Sequence, residues 1–369
     1  MLALRLARGA HPLVLLRRLM VAGASAGVGF LLLCTLMHAL SHPGAPEAVA
    51  RLLWCALPLA ATVYLAVAVA RTDPGTRPRT GLSAVGLGPV RLTALAAAST
   101  ALSCTLGSMI ALLFFLHLRG DLSGLPFDGA AAELLAAEQP LPLPAVLTLL
   151  AIVPLVATAA AAVVLRPRNT APDAEEPDGT PAGLPWGVAL VAVGLAVETY
   201  ASTTGDEGRS AGVLAGWTLT VLGLWLAGPA VTHLCGRLLQ SAGPGATRLL
   251  AGRILMEESR RVGRPIGVMC AVASGTVAAT AAYGSAPRPW GPMTALGAAL
   301  VVACTAATLL TSALDARAAR SEATTALRTL GASLAVLRQA AALRVGILVT
   351  VFAPLTLTVG ALAAAPLTR

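Results

Sequence analysis

The sequence predicts an all-α polytopic integral membrane protein with about nine transmembrane helices. Of its 369 residues, 56% are hydrophobic and only 12% are charged, whereas globular proteins carry about a quarter charged residues. Apolar runs of roughly 20 residues recur along the chain, which is the length that a helix needs to cross a bilayer. Short alternating segments, which would indicate a transmembrane β-barrel, are not visible.

Nine runs of the sequence are long and apolar enough to be predicted as spans. The predicted spans are residues 19–40, 52–70, 92–118, 143–165, 186–201, 212–234, 266–283, 293–314 and 344–365. The last of these carries Pro354, with Pro366 just beyond it, so the sequence leaves open whether it crosses the bilayer or re-enters it. The six cysteines lie mostly within the apolar runs and show no paired spacing, which indicates small packing residues.

The distribution of arginines predicts how these spans are oriented. All 26 basic residues are arginines, and with a cytoplasmic N-terminus 21 of them fall on the cytoplasmic side. Such an excess is typical of cytoplasmic loops. We therefore expect a multi-pass protein of the cell (plasma) membrane, with its N-terminus in the cytoplasm and its C-terminus outside. The same distribution accounts for the net charge of +9 without a nucleic-acid partner.

A weak internal repeat relates the two ends of the chain at an offset of 245 residues. At this offset Gly86 falls on Gly331 and Gly88 falls on Ser333. The first three spans fall on the last three, and six spans separate the copies, so both copies have the same orientation. The predicted domains are a first repeat with about four helices (1–165), a cytoplasmic Pro-rich acidic linker (166–184), an extra transmembrane hairpin (185–235) and a second repeat with about three helices (236–369).

Each copy contains a short stretch that ends one helix and begins another. In the second copy Leu327, Leu330 and Leu334 form an apolar stripe at helical spacing. Gly331 suits the left-handed position after a helix, and Ser333 suits the N-cap of the next helix. In the first copy Gly88 and then Pro89 take the N-cap and first helical positions.

Two interpretations of these corners remain open. An amphipathic helix in the lipid headgroups, with its arginines on phosphate, is the simpler one. A short helix that docks into a groove on a cytoplasmic partner is the other, and it is favoured because the corner occurs twice on the same side.

The stretch from Glu322 to Arg338 (EATTALRTLGASLAVLR) resembles the coupling-helix region of FtsX-like (MacB-type) ABC transporter permeases, in a short form without large extracytoplasmic domains. Residues 4–8 and 249–261 resemble the amphipathic helix that leads into a repeat of this family. The resemblance implies a permease subunit that couples ATP hydrolysis by a separate cytoplasmic ATPase dimer to export or to mechanical signalling. Because the predicted outer loops are short, we expect lipid-like or amphipathic substrates, peptides included, or a mechanical output alone.

The resemblance also implies which residues contact the ATPase. The docking candidates are Glu322, Leu327, Arg328, Leu330, Gly331 and Ser333 in the second copy, and Gly86 and Gly88 in the first. Membrane lipids and a second permease, identical or related, are the other expected partners. We expect no cofactor and no metal on this chain, since ATP would be bound only by the partner subunit. The chain has no lysine for an ATP-binding P-loop and no recognisable catalytic motif, so we do not expect an enzyme.

Two polar features fall outside these motifs. Glu198 lies near the predicted outer end of the fifth span, where we expect it to reach water. It supports the alternative function, a secondary transporter with an intramembrane substrate path. His38 and His42 are four residues apart on the first span, which permits a metal site but is more typical of residues at the membrane interface.

Overall fold

The computed structural model describes residues 12–43, 47–72, 89–122, 129–133, 135–166, 183–203, 206–241, 243, 245–283, 291–321, 325, 329 and 333–365. Every regular element among these residues is an α-helix. The helices are α1 (Pro12–Ser41), α2 (Glu47–Thr72), α3 (Pro89–Arg119), α4 (Leu143–Leu165), α5 (Gly183–Thr203), α6 (Asp206–Ser241), α7 (Ala246–Glu257), α8 (Ser259–Tyr283), α9 (Pro292–Ala319) and α10 (Leu334–Ala364).

Within the described part of the chain, nine helices are long and apolar enough to cross a membrane, namely all except α7. The predicted all-α membrane fold with nine spans is therefore confirmed. Most of the helices extend beyond the predicted spans, and the largest extension at a single end is that of α10, which begins at Leu334. Its first turns contain Arg338 and Arg344, so hydropathy alone does not mark them as part of the helix. Pro354 lies inside α10, which continues to Ala364, so the ninth segment is long enough to cross.

The helix bounds agree with the predicted 245-residue offset. α3 (Pro89–Arg119) and α10 (Leu334–Ala364) are both 31 residues long, and both ends of the two helices differ by this offset. α2 and α9 also begin 245 residues apart. In each copy the first helix packs against the third, α1 on α3 and α8 on α10. The agreement supports the repeat, although the two copies share little sequence.

Contacts between helices divide the chain into two compact units. The first contains α1 to α4 and residues 292–311 of α9, and the second contains α5 to α8, the end of α9 and α10. The bounds of these two units differ from those of the predicted domains, and the predicted domains stay a prediction.

The core of the first unit forms around α1. Gly107 of α3 lies against the backbone of α1, where a side chain would meet the carbonyl oxygen of Ala22. The hydroxyl of Ser25 donates to the carbonyl oxygen of Cys104 at 2.8 Å. Phe115 is fully buried in the apolar cluster between α1, α3 and α4. Small residues thus allow close helix contact where a hydrophobic driving force between helices is weak.

Glycines set the packing of the second unit. Gly187 and Gly194 on α5 lie against Gly223 and Gly216 on α6, respectively. A Cβ atom on Gly194 would lie 2.6 Å from the carbonyl oxygen of Gly216. Both pairs are spaced by seven residues on each helix, which is the repeat that keeps one helix face against another. The α5–α6 hairpin is therefore a close-packed pair of helices.

The described residues of the loop after α3 form no helix. The residues described there, 129–133 and 135–138, form hydrogen-bonded turns instead. Arg119 holds these turns: its guanidinium donates to the carbonyl oxygen of Ala137 at 3.2 Å and to that of Gln139, and it pairs with Asp121 at 3.5 Å. The arginine side chain satisfies carbonyl groups that a helix would have paired internally.

Candidate functional site

Most of the predicted docking residues lie outside the described part of the chain. These are Glu322, Leu327, Arg328, Leu330, Gly331, Gly86 and Gly88. The residues described near the second corner are Ser321, Thr325, Thr329 and Ser333, all of which are exposed. We call residues 322–332 the docking segment. The residues on both sides of it are described, and they show which helices the docking segment is attached to.

The flank after the docking segment is the capped start of α10. Ser333 has extended backbone angles (φ −72, ψ 147), and its hydroxyl oxygen accepts a hydrogen bond from the amide of Val336 at 3.4 Å. The prediction that Ser333 is an N-cap is confirmed, and α3 likewise begins at Pro89 as predicted. Leu334, the first residue of α10, is 51% exposed.

The flank before the docking segment is fixed by an ion pair. Glu258 lies at the junction between α7 and α8, where its amide donates to the carbonyl oxygen of Ile254 at 3.0 Å. Its Oε1 atom lies 3.0 Å from Nε of Arg320, the residue that follows α9. Nε of Arg320 also donates to the carbonyl oxygen of Ala316 at 3.0 Å. The pair thus connects the end of α9 to the α7–α8 junction.

Glu258 is surrounded by positive charge. Burial raises the pKa of its carboxyl above the ordinary value, while Arg320, Arg344 and Arg261 act in the opposite direction. Since burial has the larger effect, the pKa is raised on balance. The site is a largely buried carboxylate with three arginines near enough to act on it, one near the start of α8, one directly after α9 and one within the first half of α10.

The first turns of α10 pack against α6 and α7. Ala340 of α10 is buried in one apolar cluster with Cys235 of α6 and with Ala251 and Leu255 of α7. α7 occupies most of residues 249–261, the stretch that resembles the leading helix of the permease family, and it is a separate helix that ends before Glu258. The matching residues 4–8 lie outside the described chain. The start of α10 therefore rests on two other helices rather than standing free.

The sequence analysis missed Glu258, Arg320 and Arg344 as members of one site. They lie in three separate segments of the sequence. At the 245-residue offset Glu258 corresponds to Leu13, so the repeat does not indicate that an acidic residue is needed at this position. The signal that could have found Glu258 is its position as an acidic residue in the basic stretch 253–264. Such a residue is expected to pair within a basic loop.

Glu198 is not where the sequence analysis placed it. The residue was expected to reach water near a helix end, but it is only 5% exposed. Its side chain lies against Gly216 of α6, where a Cβ atom would be 2.6 Å from its Cγ. Its Oε1 atom has no hydrogen-bond partner among the described residues. The expectation of water contact is wrong because the glycine on α6 lets the two helices close over the carboxyl group.

His38, near the end of α1, and His42, just after α1, are stacked on each other. The ring centroids of His38 and His42 are 4.5 Å apart, and Nδ1 of His42 lies 2.9 Å from the hydroxyl of Ser41. No group of three metal-ligating side chains is found in the described ranges. All six cysteines are buried, in keeping with the prediction that they are packing residues.

Comparison with known proteins adds no family to this picture. No protein-family model, no curated protein and no solved structure matches the chain.

Proposed function

We propose that this chain is the permease subunit of an ABC transporter complex, which couples ATP hydrolysis by a separate cytoplasmic ATPase dimer to export or to a mechanical signal across the plasma membrane. The observation that carries the proposal is the direct connection between the docking segment and a spanning helix. α10 starts at the Ser333 cap and runs for 31 residues without a break. A helix of that length is about 46 Å long, more than the ~30 Å of a bilayer core.

The attachment of both flanks makes the docking segment suited to transmit force. The Glu258–Arg320 pair holds the chain two residues before the segment, and the packing of Ala340 on α7 holds the first turns after it. A segment that is fixed at both ends moves its neighbours when it is displaced, whereas a free loop absorbs the displacement. The closure of an ATPase dimer on this segment would then tilt α9 and α10.

The proposed substrate class follows from the outer loops. The longest connection on the predicted outer side runs only from Arg119 to Leu143, and Arg119 folds part of it back onto the end of α3. Such loops do not provide a large capture domain for a soluble substrate. We therefore propose that the complex acts on lipid-like or amphipathic molecules, peptides included, that reach it from the bilayer, or that it transmits a mechanical signal alone.

The docking segment is tested by capturing the ATPase. The tagged full-length chain is purified from membranes of its native host, and a subunit with a P-loop motif and associated ATPase activity is expected to be retained. A combined change of Leu327, Leu330 and Leu334 to Asp should abolish this retention. On a helical wheel of the predicted docking helix, Thr325 and Thr329 fall opposite Leu327 and Leu330, so T325D with T329D is the matched control and should retain the ATPase.

Two results would show that the proposal is wrong. One is that the native chain retains no ATPase subunit although it is folded and membrane-inserted. The other is that the triple aspartate variant retains as much ATPase as the control variant.

A secondary transporter with an intramembrane substrate path is the alternative, and the burial of Glu198 favours it. A carboxyl group with an unpartnered oxygen inside a helical hairpin is a site where a proton could bind and leave. This function predicts transport by the chain alone in vesicles, abolished by a protonophore and by E198Q, and indifferent to ATP. Transport that requires the ATPase and survives E198Q would exclude it.

A further inference from the structure

A groove runs along the first half of α10 in the second unit. Its volume is ≈ 630 Å³. One wall is the face of α10 on which residues recur at spacings of three and four, and the other is formed by the end of α6 and the start of α7. The groove residues used below are Thr247, Arg248, Gln339, Ala342, Gly346 and Thr350. All of them belong to the same compact unit.

The groove is polar at one end and apolar at the other. Thr247, Arg248 and Gln339 lie at the end near the predicted cytoplasmic surface, and Thr350 lies about 16 Å further along α10. The hydroxyl of Thr350 donates to the carbonyl oxygen of Gly346 at 2.8 Å, so this deeper end has a satisfied hydroxyl. A ligand that fits this gradient has a charged head and an apolar chain.

Two glycines shape the groove. A Cβ atom on Gly346 would have no other atom within 4 Å, so the lack of a side chain leaves open space at the middle of the groove. Gly243 has a positive φ of +135, and a Cβ atom there would lie 3.4 Å from Nη1 of Arg248. The guanidinium of Arg248 therefore lies over the backbone of Gly243, beside the polar end.

The first unit has a smaller groove at the matching place. Its volume is ≈ 440 Å³, and it lies between the start of α3 and the end of α4. Ala94 and Ala97 line it, and the 245-residue offset carries them onto Gln339 and Ala342 of the larger groove. Arg166 lies at the end of α4 and supplies the cation that Arg248 supplies in the second unit. The same face of the third helix is thus open beside an arginine in both copies.

The surface around the larger groove is apolar and exposed. Val345 and Val349 flank it on α10, and both are exposed apolar residues in a spanning segment. A molecule in the bilayer can reach the groove from the side. The arginine at its polar end selects a negative head, since a guanidinium binds phosphate through charge-assisted hydrogen bonds.

We infer that each repeat binds an anionic phospholipid of the cytoplasmic leaflet, with its phosphate on Arg248 or Arg166 and an acyl chain along the third helix of that repeat. The inference depends on the membrane-spanning fold and the arginine-based orientation, and it does not require an ATPase partner. The two lipids would lie directly after the two predicted corners, at the point where each third helix enters the bilayer.

Native mass spectrometry of the full-length chain tests the inference, with phosphatidylglycerol and phosphatidylcholine of identical acyl chains as the probes. We expect two tightly retained phosphatidylglycerol molecules and weaker retention of phosphatidylcholine. R248Q and R166Q should each weaken one site by about fivefold, as the loss of one arginine at a membrane surface implies. The double variant should show both effects, with each of the two lipids bound about fivefold more weakly than by the native chain.

Matched controls separate the grooves from general effects. R253Q removes an exposed arginine of the same helix as Arg248, and it should leave both sites unchanged. Gly346→Leu fills the larger groove without changing charge and should remove one lipid. Gly23→Leu is its control, because a Cβ atom on Gly23 also meets nothing within 4 Å.

Three outcomes would overturn the inference. The first is unchanged lipid retention in R248Q, R166Q and Gly346→Leu, measured on chains that elute as folded protein. The second is equal retention of the two lipids by the native chain. The third is a change of oligomeric state in Gly346→Leu with the lipid count unchanged, which would make a second copy of the chain the occupant of the groove.

Discussion

Oε1 of Glu258 lies 3.0 Å from Nε of Arg320, and this contact attaches the residue after α9 to the junction between α7 and α8. The pair lies next to the docking segment without belonging to it. Glu258 is largely buried and Arg320 is partly exposed, so the contact is shielded from solvent more than a typical surface pair. Two consequences can be measured, one by mutation and one by pH.

Removal of one partner of the Glu258–Arg320 pair should lower the free energy of unfolding more than removal of both partners. R320Q leaves the buried carboxylate of Glu258 with fewer counter-charges, and we expect the chain to lose about 1–3 kcal/mol of unfolding free energy. The double variant E258Q/R320Q leaves a neutral pair and should recover most of that loss. The double-mutant cycle is completed by measuring the unfolding free energy of the native chain and of each variant in detergent, with tryptophan fluorescence as the readout.

An exposed ion pair of the same unit serves as the control. Arg253 and Glu257 are 3.8 Å apart at the surface of α7, and R253Q should change stability by less than about 0.5 kcal/mol. Equal effects of R320Q and R253Q would show that the Glu258 pair does not fix the flank of the docking segment.

The stability of the chain should depend on pH through Glu258. Since folding raises the pKa of this carboxyl above its ordinary value of 4.5, the folded chain keeps the proton to a higher pH than the unfolded chain does. The contribution of Glu258 is therefore most favourable below pH 4.5 and declines as the pH rises through the window above it. The difference in unfolding temperature between the native chain and E258Q should fall over that window, and a difference that rises would contradict the assignment.

The close α5–α6 hairpin should not tolerate a side chain at its crossing points. A Cβ atom on Gly194 would lie 2.6 Å from the carbonyl oxygen of Gly216 and 2.7 Å from the amide nitrogen of Thr220, and backbone atoms cannot turn aside as a side chain can. We expect Gly194→Ala to cost about 1–3 kcal/mol or more through overpacking. Gly23→Ala, in open space within α1, should be neutral or slightly stabilising. Similar yields of folded protein from both variants would contradict the close packing.

Sequence reasoning found the spans and the starts of α3 and α10, but not the contacts between helices. The nine apolar runs depend on local composition, and the N-cap at Ser333 and the helix start at Pro89 depend on neighbouring residues, so both could be predicted from the sequence. The Glu258–Arg320 contact depends on how α7, α8 and α9 pack, which no local pattern contains. The burial of Glu198 has the same origin, because it results from a glycine on the next helix.

Arg119 should determine the order of the loop that follows α3. Its side chain is almost fully buried, and it bonds the carbonyl oxygens of Ala137 and Gln139 as well as the carboxylate of Asp121. Arg119→Lys keeps the charge but loses the planar guanidinium with its several donors, so the lysine should not be able to bond both carbonyl oxygens and the carboxylate together. We expect faster proteolysis and faster amide exchange of residues 129–139 in this variant. Asp121→Asn removes one contact only and should have a smaller effect; the reverse order would contradict this account of the loop.

The buried cysteines make the orientation of the chain directly testable. All six thiols are buried, so a bulky, membrane-impermeant maleimide should label none of them in the folded protein and all of them after unfolding. New cysteines at exposed positions can then be labelled against the native background. The arginine distribution predicts that Ala130→Cys reacts in intact cells and that Thr325→Cys reacts only after the membrane is permeabilised. Labelling in the opposite order would invert the topology and place the docking segment where no cytoplasmic ATPase could reach it.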